Sequence, residues 1–476
     1  GLLRFAWRQL TSMRTALILL LLVGIAAIPG SLVPQRTQNP LQVGQYFKDS
    51  PDAARWMDRF YLFDVYGSPW FSAIYILLFI SLIGCVFPRT IEHFKAARAL
   101  PPATPKNLAR LEHHESWSPQ GNELELARAW FKSKRFRVLE VNGSISAEKG
   151  FTRETGNLFF HLALILVLLG ISFSSLFGMR GEAIVNVGER FVNTATSYDT
   201  LTYGKLFRDS NIPAFMVTAD KFVAQYNLET SAPEDYTLEV SLLREGATQI
   251  EKKTIKVNSP MTIGTTRVYL QANGYAPVVT VRDSKGDVAF QGPVTFLPQD
   301  ANLRSIGAIK VPDADPQIGF LGSFLPTYVR DGANGGASAF PKALNPRLLL
   351  SVWSGDLGLD SGIPQSVYRI DTTDMTQIGL KGLKPGESFA YEGGSITFEG
   401  YVQWVNLNFV ADPGKHLALL GGIVAILGLL ASLFTRRRRI WIRVGDQVEV
   451  AGLAKNAAPG LEVEMQGFVK MLKGEK

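Results

Sequence analysis

The chain is 476 residues long, carries a formal net charge of +7 and has a mean hydropathy of +0.08. The near-zero hydropathy averages strongly apolar segments against a polar remainder. No interleaving of Arg with aromatic residues supports nucleic-acid binding, and the basic excess follows instead from the membrane topology argued below.

Four charge-free, Leu/Ile/Val/Phe-rich segments occur in chain order: Ala16 to Ile28 (extendable on both sides), Trp70 to Phe87, Leu158 to Phe177 and Leu417 to Phe434. A helical membrane span needs about 20 predominantly apolar residues, so these predict four transmembrane helices. Arg4, Arg8 and Arg14 ahead of the first segment give it the look of a signal peptide. Pro29-Gly30-Ser31 is a poor cleavage site, however, and the later spans hold the chain in the membrane anyway. Lys and Arg crowd the N-terminus, the stretch from Arg89 to Arg153 and Arg436 to Arg439, whereas in the loop after span one they are offset by Asp49, Asp52, Asp58 and Asp64. The positive-inside rule then places both termini and the middle loop in the cytoplasm.

The organisation expected is residues 1–35 as N-terminus and first span, 36–69 an extracytoplasmic loop, 70–88 the second span and 89–156 a cytoplasmic α+β segment. Residues 157–177 form the third span, 178–413 an extracytoplasmic β-rich domain, 414–435 the fourth span and 436–476 a cytoplasmic tail. In the cytoplasmic segment, Gly121 to Lys134 reads as an amphipathic helix burying Leu124, Leu126, Trp130 and Phe131, and Val138 onward with Ser144 onward as a hairpin. His113 and His114, beside Glu112 and Glu115, read as a solvated polar stretch, since adjacent histidines project in different directions. His93 reads as an interfacial residue. The tail reads as a short strand and then a helix over Leu461 to Leu472 lying against the membrane face.

Residues 178–413 alternate as strands do, for example Tyr236 to Leu243, and Val278 onward leads through Asp283-Ser-Lys-Gly-Asp into Val288 as a hairpin. No helical period interrupts them, which predicts a β-sandwich or two small β-domains, with Asp331 to Ala337 as a mobile Gly-rich loop. Between Gly178 and Pro413 there is no histidine and no cysteine. This removes a zinc site of the usual ligands, a Ser/His/Asp or Cys/His hydrolase and dithiol chemistry. A carboxylate-only calcium site or acid/base pair stays open, though no DxDxDG-like spacing marks one, and the domain reads as a recognition or docking module. The single cysteine, Cys85, lies in span two and reads as an apolar packing residue.

His161 is the one ionisable residue between Leu158 and Phe177. An imidazole at membrane depth is costly unless it faces protein or a bound group. It therefore needs a proton path, a hydrogen-bonding neighbour or a metal. His416, at the far end of span four, lies on the order of 25 Å away by helix rise and reads as an interfacial cap.

Several stretches flank these spans: Gly30-Ser-Leu-Val-Pro-Gln, Leu62-Phe-Asp-Val-Tyr-Gly-Ser-Pro-Trp-Phe, Gly84-Cys-Val-Phe-Pro-Arg, and Lys149-Gly-Phe-Thr-Arg-Glu-Thr-Gly-Asn-Leu-Phe-Phe-His. Asp412-Pro-Gly, Arg438-Arg-Ile-Trp and Gly452-Leu-Ala-Lys-Asn follow. In this order they closely resemble the ResB (CcsB) proteins of System II cytochrome c biogenesis, from the first span to the tail and least in the outer domain. The resemblance implies a partner of the CcsA (ResC) type, with which haem b is carried as substrate across the membrane for attachment to the CxxCH thiols of apocytochrome c. It also implies an indirect link to a thiol-reducing thioredoxin-like protein and contact with membrane lipid. The partner's tryptophan-rich haem-handling segment is absent here, since Trp353, Trp404 and Trp441 are isolated, so the chain alone is a non-catalytic subunit of a holocytochrome c synthase. In the same resemblance His161 is an axial ligand to haem iron; its neighbours Phe159 and Phe160 are then placed to pack on the porphyrin, and Arg153 reads first as an ordinary positive-inside anchor and second as a partner for the propionates. Outer haem would take its ligands from the partner or the cytochrome unless Met179, Met216, Met261 or Met375 contributes. The alternative is a membrane-anchored sensor or assembly factor whose outer β-domain binds a protein, with His161 hydrogen-bonded to a neighbouring helix.

Overall fold

The computed structural model describes every residue except 37, 331–335, 360–365, 455–458 and 476. It divides into two compact units, residues 1–173 with 414–476, and residues 174–413.

The first unit is helical with one sheet. Its helices are α1 (Leu2–Leu10), α2 (Met13–Leu32), α3 (Pro40–Asp49), α4 (Pro51–Arg59), α5 (Pro69–Arg98), α6 (Glu123–Ser133), α7 (Thr152–Phe177, whose last turn belongs to the second unit), α8 (Lys415–Phe434) and α9 (Pro459–Lys473). Helices α2, α5, α7 and α8 are long and apolar enough to cross a membrane. Their starts follow from local chemistry: Ser12 caps α2 by accepting the Thr15 N–H, and Ser68 caps α5 by accepting the Phe71 N–H ahead of Pro69 at the first helical position. Pro88 does not end α5, which continues to Arg98.

Close approach of α7 and α8 depends on small residues. A Cβ on Gly156 would lie 2.6 Å from the Gly428 carbonyl oxygen, and one on Gly428 would lie 2.7 Å from that of Gly156. Gly421 meets Val167 and Gly170 meets Ala418 in the same way, giving seven-residue spacings along both helices. In lipid, where burying apolar surface gives little drive, such backbone contact supplies much of the association.

The loop 36–69 contains α3 and α4, which bury Val43, Ala54 and Phe63 together. Gln35 ties this segment down: its Nε2 donates to the carbonyls of Val33 and Leu62, and its Oε1 accepts the Val65 N–H at 3.0 Å. Two of the sequence motifs named above therefore meet at one buried amide.

A five-stranded antiparallel sheet orders His113–Trp117, Val448–Ala454, Arg438–Val444, Ser144–Lys149 and Arg137–Val141. Helices α6 and α9 cover one face through Ala127, Phe131, Leu461, Met465 and Phe468, while Leu108 and Trp441 pack on the other. The hairpin and the amphipathic helix expected here are present, and Leu124, Leu126 and Trp130 pack at the edge of this core. Two expectations are corrected. His113–Trp117 is an edge strand paired to Val448–Ala454 and not a solvated stretch, and α9 buries its apolar face on the sheet and not on a membrane. Glu123 is buried at the start of α6. Burial pushes its carboxyl upward, but the N–H groups of Gln120, Gly121 and their neighbours outweigh this and hold it below the usual carboxylate range. Glu148, almost fully buried, is ion-paired with Arg437 and, at 3.3 Å, with Arg439.

The second unit is built on two 18-residue strands, Thr266–Asp283 and Gly394–Ala411, paired antiparallel along their length. One end joins Met179–Asn186, Thr200–Tyr203 and Met261–Ile263, and shares a core with the four-stranded sheet that includes Phe215–Tyr226 and Pro233–Arg244. The other end, flanked by Val288–Pro293 and Ser388–Tyr391, shares a core with the five-stranded sheet that includes Ser305–Val311, Ile318–Leu325 and Arg347–Ser354. Trp404 marks the changeover: its indole N–H donates to the Tyr275 and Phe296 carbonyls, both at 3.1 Å, over Gly274, where a Cβ would collide with the ring. The Asp283 turn closes the expected hairpin by accepting the Lys285 and Asp287 N–H groups. Of the Gly-rich loop expected at 331–337, residues 331–335 lie outside the described residues, and Ala337–Ser338 pairs with Tyr328–Val329.

Candidate functional site

Helices α5 and α7 together line a cavity of about 350 Å³. From α5 come Cys85, Val86, Arg89, Glu92, His93 and Ala96, and from α7 come Glu154, Asn157, Leu158 and His161, with Met13 at the start of α2. The spacings i, i+1, i+4, i+7, i+8 and i+11 on α5, and i, i+3, i+4 and i+7 on α7, keep the lining to one side of each helix.

His161 Nδ1 lies 2.7 Å from the Asn157 carbonyl oxygen, one turn earlier. A carbonyl only accepts, so Nδ1 carries the proton and the Nε2 of the neutral ring keeps its lone pair. Among the described residues Nε2 has no hydrogen-bond partner. An imidazole oriented by a backbone carbonyl, with its other nitrogen free at a cavity, is the usual arrangement of a metal-ligating histidine.

His93 shares this cavity. Its Nε2 is hydrogen-bonded to Thr155 Oγ1 at 3.0 Å, and its ring stacks on Phe151 at 5.0 Å between centroids. Phe151 also takes the guanidinium groups of Arg137 and Arg437 at 5.2 and 5.0 Å from its ring centre. Glu154 is paired with Arg437 at 2.6 Å. Because Pro88 makes the apolar span look complete while the helix runs on to Arg98, the sequence alone does not mark His93 as a cavity residue. Its spacing from Cys85, eight residues along a helix that continues, was the available signal.

The other residues singled out from sequence lie elsewhere. Phe160 sets its ring edge-on to the His161 ring at 5.3 Å, but its backbone packs against Gly428 on α8 and it does not line the cavity. Phe159 is half exposed, and Arg153, in the first turn of α7, is outside the lining. His416 is exposed in the first turn of α8. In the second unit, Met179 and Met261 are core residues and Met375 is buried. Among the described residues no group of three or more His, Cys, Asp or Glu side chains is arranged to hold a metal ion.

A chain with four membrane-length helices, an oriented histidine at a cavity between two of them and a large β unit inserted before the last defines a class of membrane protein. The model of the ResB-like family matches residues 13–466, and the chain belongs to that family. Proteins named Cytochrome c biogenesis protein CcsB are similar over nearly the whole length. That of Microcystis aeruginosa is 23% identical, covering 98% of this chain and 95% of its own. That of Prochlorococcus marinus is 23% identical with 97% of each chain covered, and that of Gloeobacter violaceus 23% with 98% and 90%.

Proposed function

We propose that this chain acts in cytochrome c biogenesis as a membrane subunit that carries haem. The observation that carries the reading is His161, an imidazole at membrane depth with its proton committed to Asn157 and its other nitrogen free at a cavity. Haem is the cargo, and the lining suits it: a nitrogen lone pair for iron, apolar Met13, Val86, Ala96 and Leu158 for the macrocycle, and cationic Arg89. At about 350 Å³ the cavity is at the small end of small-molecule sites, roughly 300–1,000 Å³, which suits a site completed by another chain. A CcsA/ResC-type partner supplies the second axial ligand in this reading, and apocytochrome c receives the haem on its CxxCH thiols.

The charge bias sets the topology, with both termini and residues 89–156 cytoplasmic and the β unit on the outer side. Without histidine or cysteine, that unit recognises and does not catalyse. Deletion of the gene in a strain with no other maturation system should abolish covalently bound c-type haem and leave b-type haem in place. Normal staining for c-type haem would contradict the proposal.

A further inference from the structure

The haem reading assigns iron to His161 but leaves the carboxylates of the porphyrin without a partner, since Arg153 does not line the cavity. Arg89 does. Among the described residues it makes no ion pair and no side-chain hydrogen bond, while the acidic group opposite on α7, Glu154, is already taken by Arg437 at 2.6 Å. Glu92, three residues further along α5, is the acidic neighbour on its own wall and is exposed.

Depth places Arg89 beside the imidazole. The His93–Thr155 hydrogen bond sets α5 and α7 in register. Moving into the apolar stretch, Arg89 lies four residues from His93 and His161 six residues from Thr155, about 6 and 9 Å by helix rise. The His161 ring folds back toward Asn157, so guanidinium and imidazole lie within about one turn of the same level. Arginine stays charged at any working pH and offers a planar fork matched to a carboxylate.

We propose that Arg89 is the carboxylate anchor of this cavity, receiving a haem propionate while His161 faces the iron and thereby fixing which way round the porphyrin sits. This rests on the haem reading above. A basic residue near a span end also serves as a positive-inside anchor, but such an anchor is indifferent to the porphyrin's side chains.

The test titrates the full chain, in complex with its partner in detergent, with haemin and with haemin dimethyl ester, followed by Soret absorbance. Arg89→Gln should weaken haemin about tenfold, the effect of losing a charge-assisted hydrogen bond, and leave the dimethyl ester unchanged. Arg89→Lys should recover part of the loss, Arg153→Gln should change neither ligand, and Glu92→Gln should leave haemin binding equal or tighter. Equal weakening of both ligands by Arg89→Gln would make Arg89 structural, and no weakening of either would place the propionates elsewhere; both overturn the proposal. The underlying reading fails separately: no haemin binding by the wild-type complex, or binding and spectrum unchanged in His161→Gly, would defeat it whatever Arg89 does.

Discussion

Within residues 174–413, Phe320, Phe324, Phe398 and Phe409 are fully buried, whereas on the spans Leu17, Ile18 and Leu21 are more than half exposed and the buried positions include Gly156, Ala163, Gly170, Gly421 and Gly428. The same apolar residue types thus serve opposite ends. In the β unit they are withdrawn from water into two cores, and on the spans they face outward as a surface for lipid, leaving small residues to bring helices together. Chemistry follows the same division. All five histidines and the single cysteine lie in the first unit, and none lies in the second. Two packed cores fix shape in one unit; the other holds the cavity lined by Cys85, His93 and His161.

The largest effect that would break this comparison is in the β unit. Phe409→Ala removes a ring stacked on Phe191 and should cost about 3–5 kcal/mol. Because Thr266–Asp283 and Gly394–Ala411 run through both cores, residues 174–413 expressed alone should unfold in one denaturant transition that this substitution shifts as a whole. The isolated unit should also bind no haem and show no thiol–disulfide activity. Two separate transitions, or a six-coordinate haem spectrum, would erase the division drawn here.

On the spans the expected effect is smaller but harder to relieve. Gly428→Leu forces a side chain against the Gly156 carbonyl and should destabilise the α7–α8 pair by about 3 kcal/mol, read as a lower thermal midpoint in detergent. Leu429→Ala, at an exposed lipid-facing position, should leave that midpoint nearly unchanged. Equal effects at the two sites would mean that small residues do not set the packing.

The smallest expected effect lies in the module built on the five-stranded sheet. Glu123→Gln loses a charged acceptor for two backbone N–H groups and should cost about 1 kcal/mol at neutral pH, measured by hydrogen exchange in α6. Since the folded carboxyl titrates below its usual range, its contribution is present above the unfolded pKa and is lost as pH falls through the folded one. The difference between wild type and variant should therefore shrink on acidification. A difference that grew toward low pH would reverse the sign of this account.

What was legible in the sequence was whatever local pattern decides. Four spans, the β-rich stretch and the Val138–Ser144 hairpin follow from apolar runs and alternation of period two. What was hidden depends on partners far along the chain. His113–Trp117 is polar on its face and becomes a strand only because Val448–Ala454 pairs with it, more than 300 residues later. The tail helix faces a sheet whose strands come from both ends of the first unit, so its apolar side resembled a membrane-surface helix. His161 stood out because an ionisable residue interrupts an apolar run. His93 and Arg89 did not, because Pro88 and a cluster of charges made the span appear to stop where the helix in fact continues.

The claim at the centre is that His161 holds its Nε2 for haem iron. Replacing His161 with Gly leaves a space about the size of an imidazole at membrane depth. The measurement is the haem spectrum and content of the purified His161→Gly protein, in complex with its partner, with and without added imidazole. The account predicts normal assembly with haem lost or its spectrum shifted, and recovery of both the spectrum and cytochrome maturation when imidazole fills the space, because ligation does not require the ring to be tethered. Wild-type haem content, spectrum and activity in the variant, with at most a stability cost of about 1 kcal/mol from one lost polar contact, would contradict it.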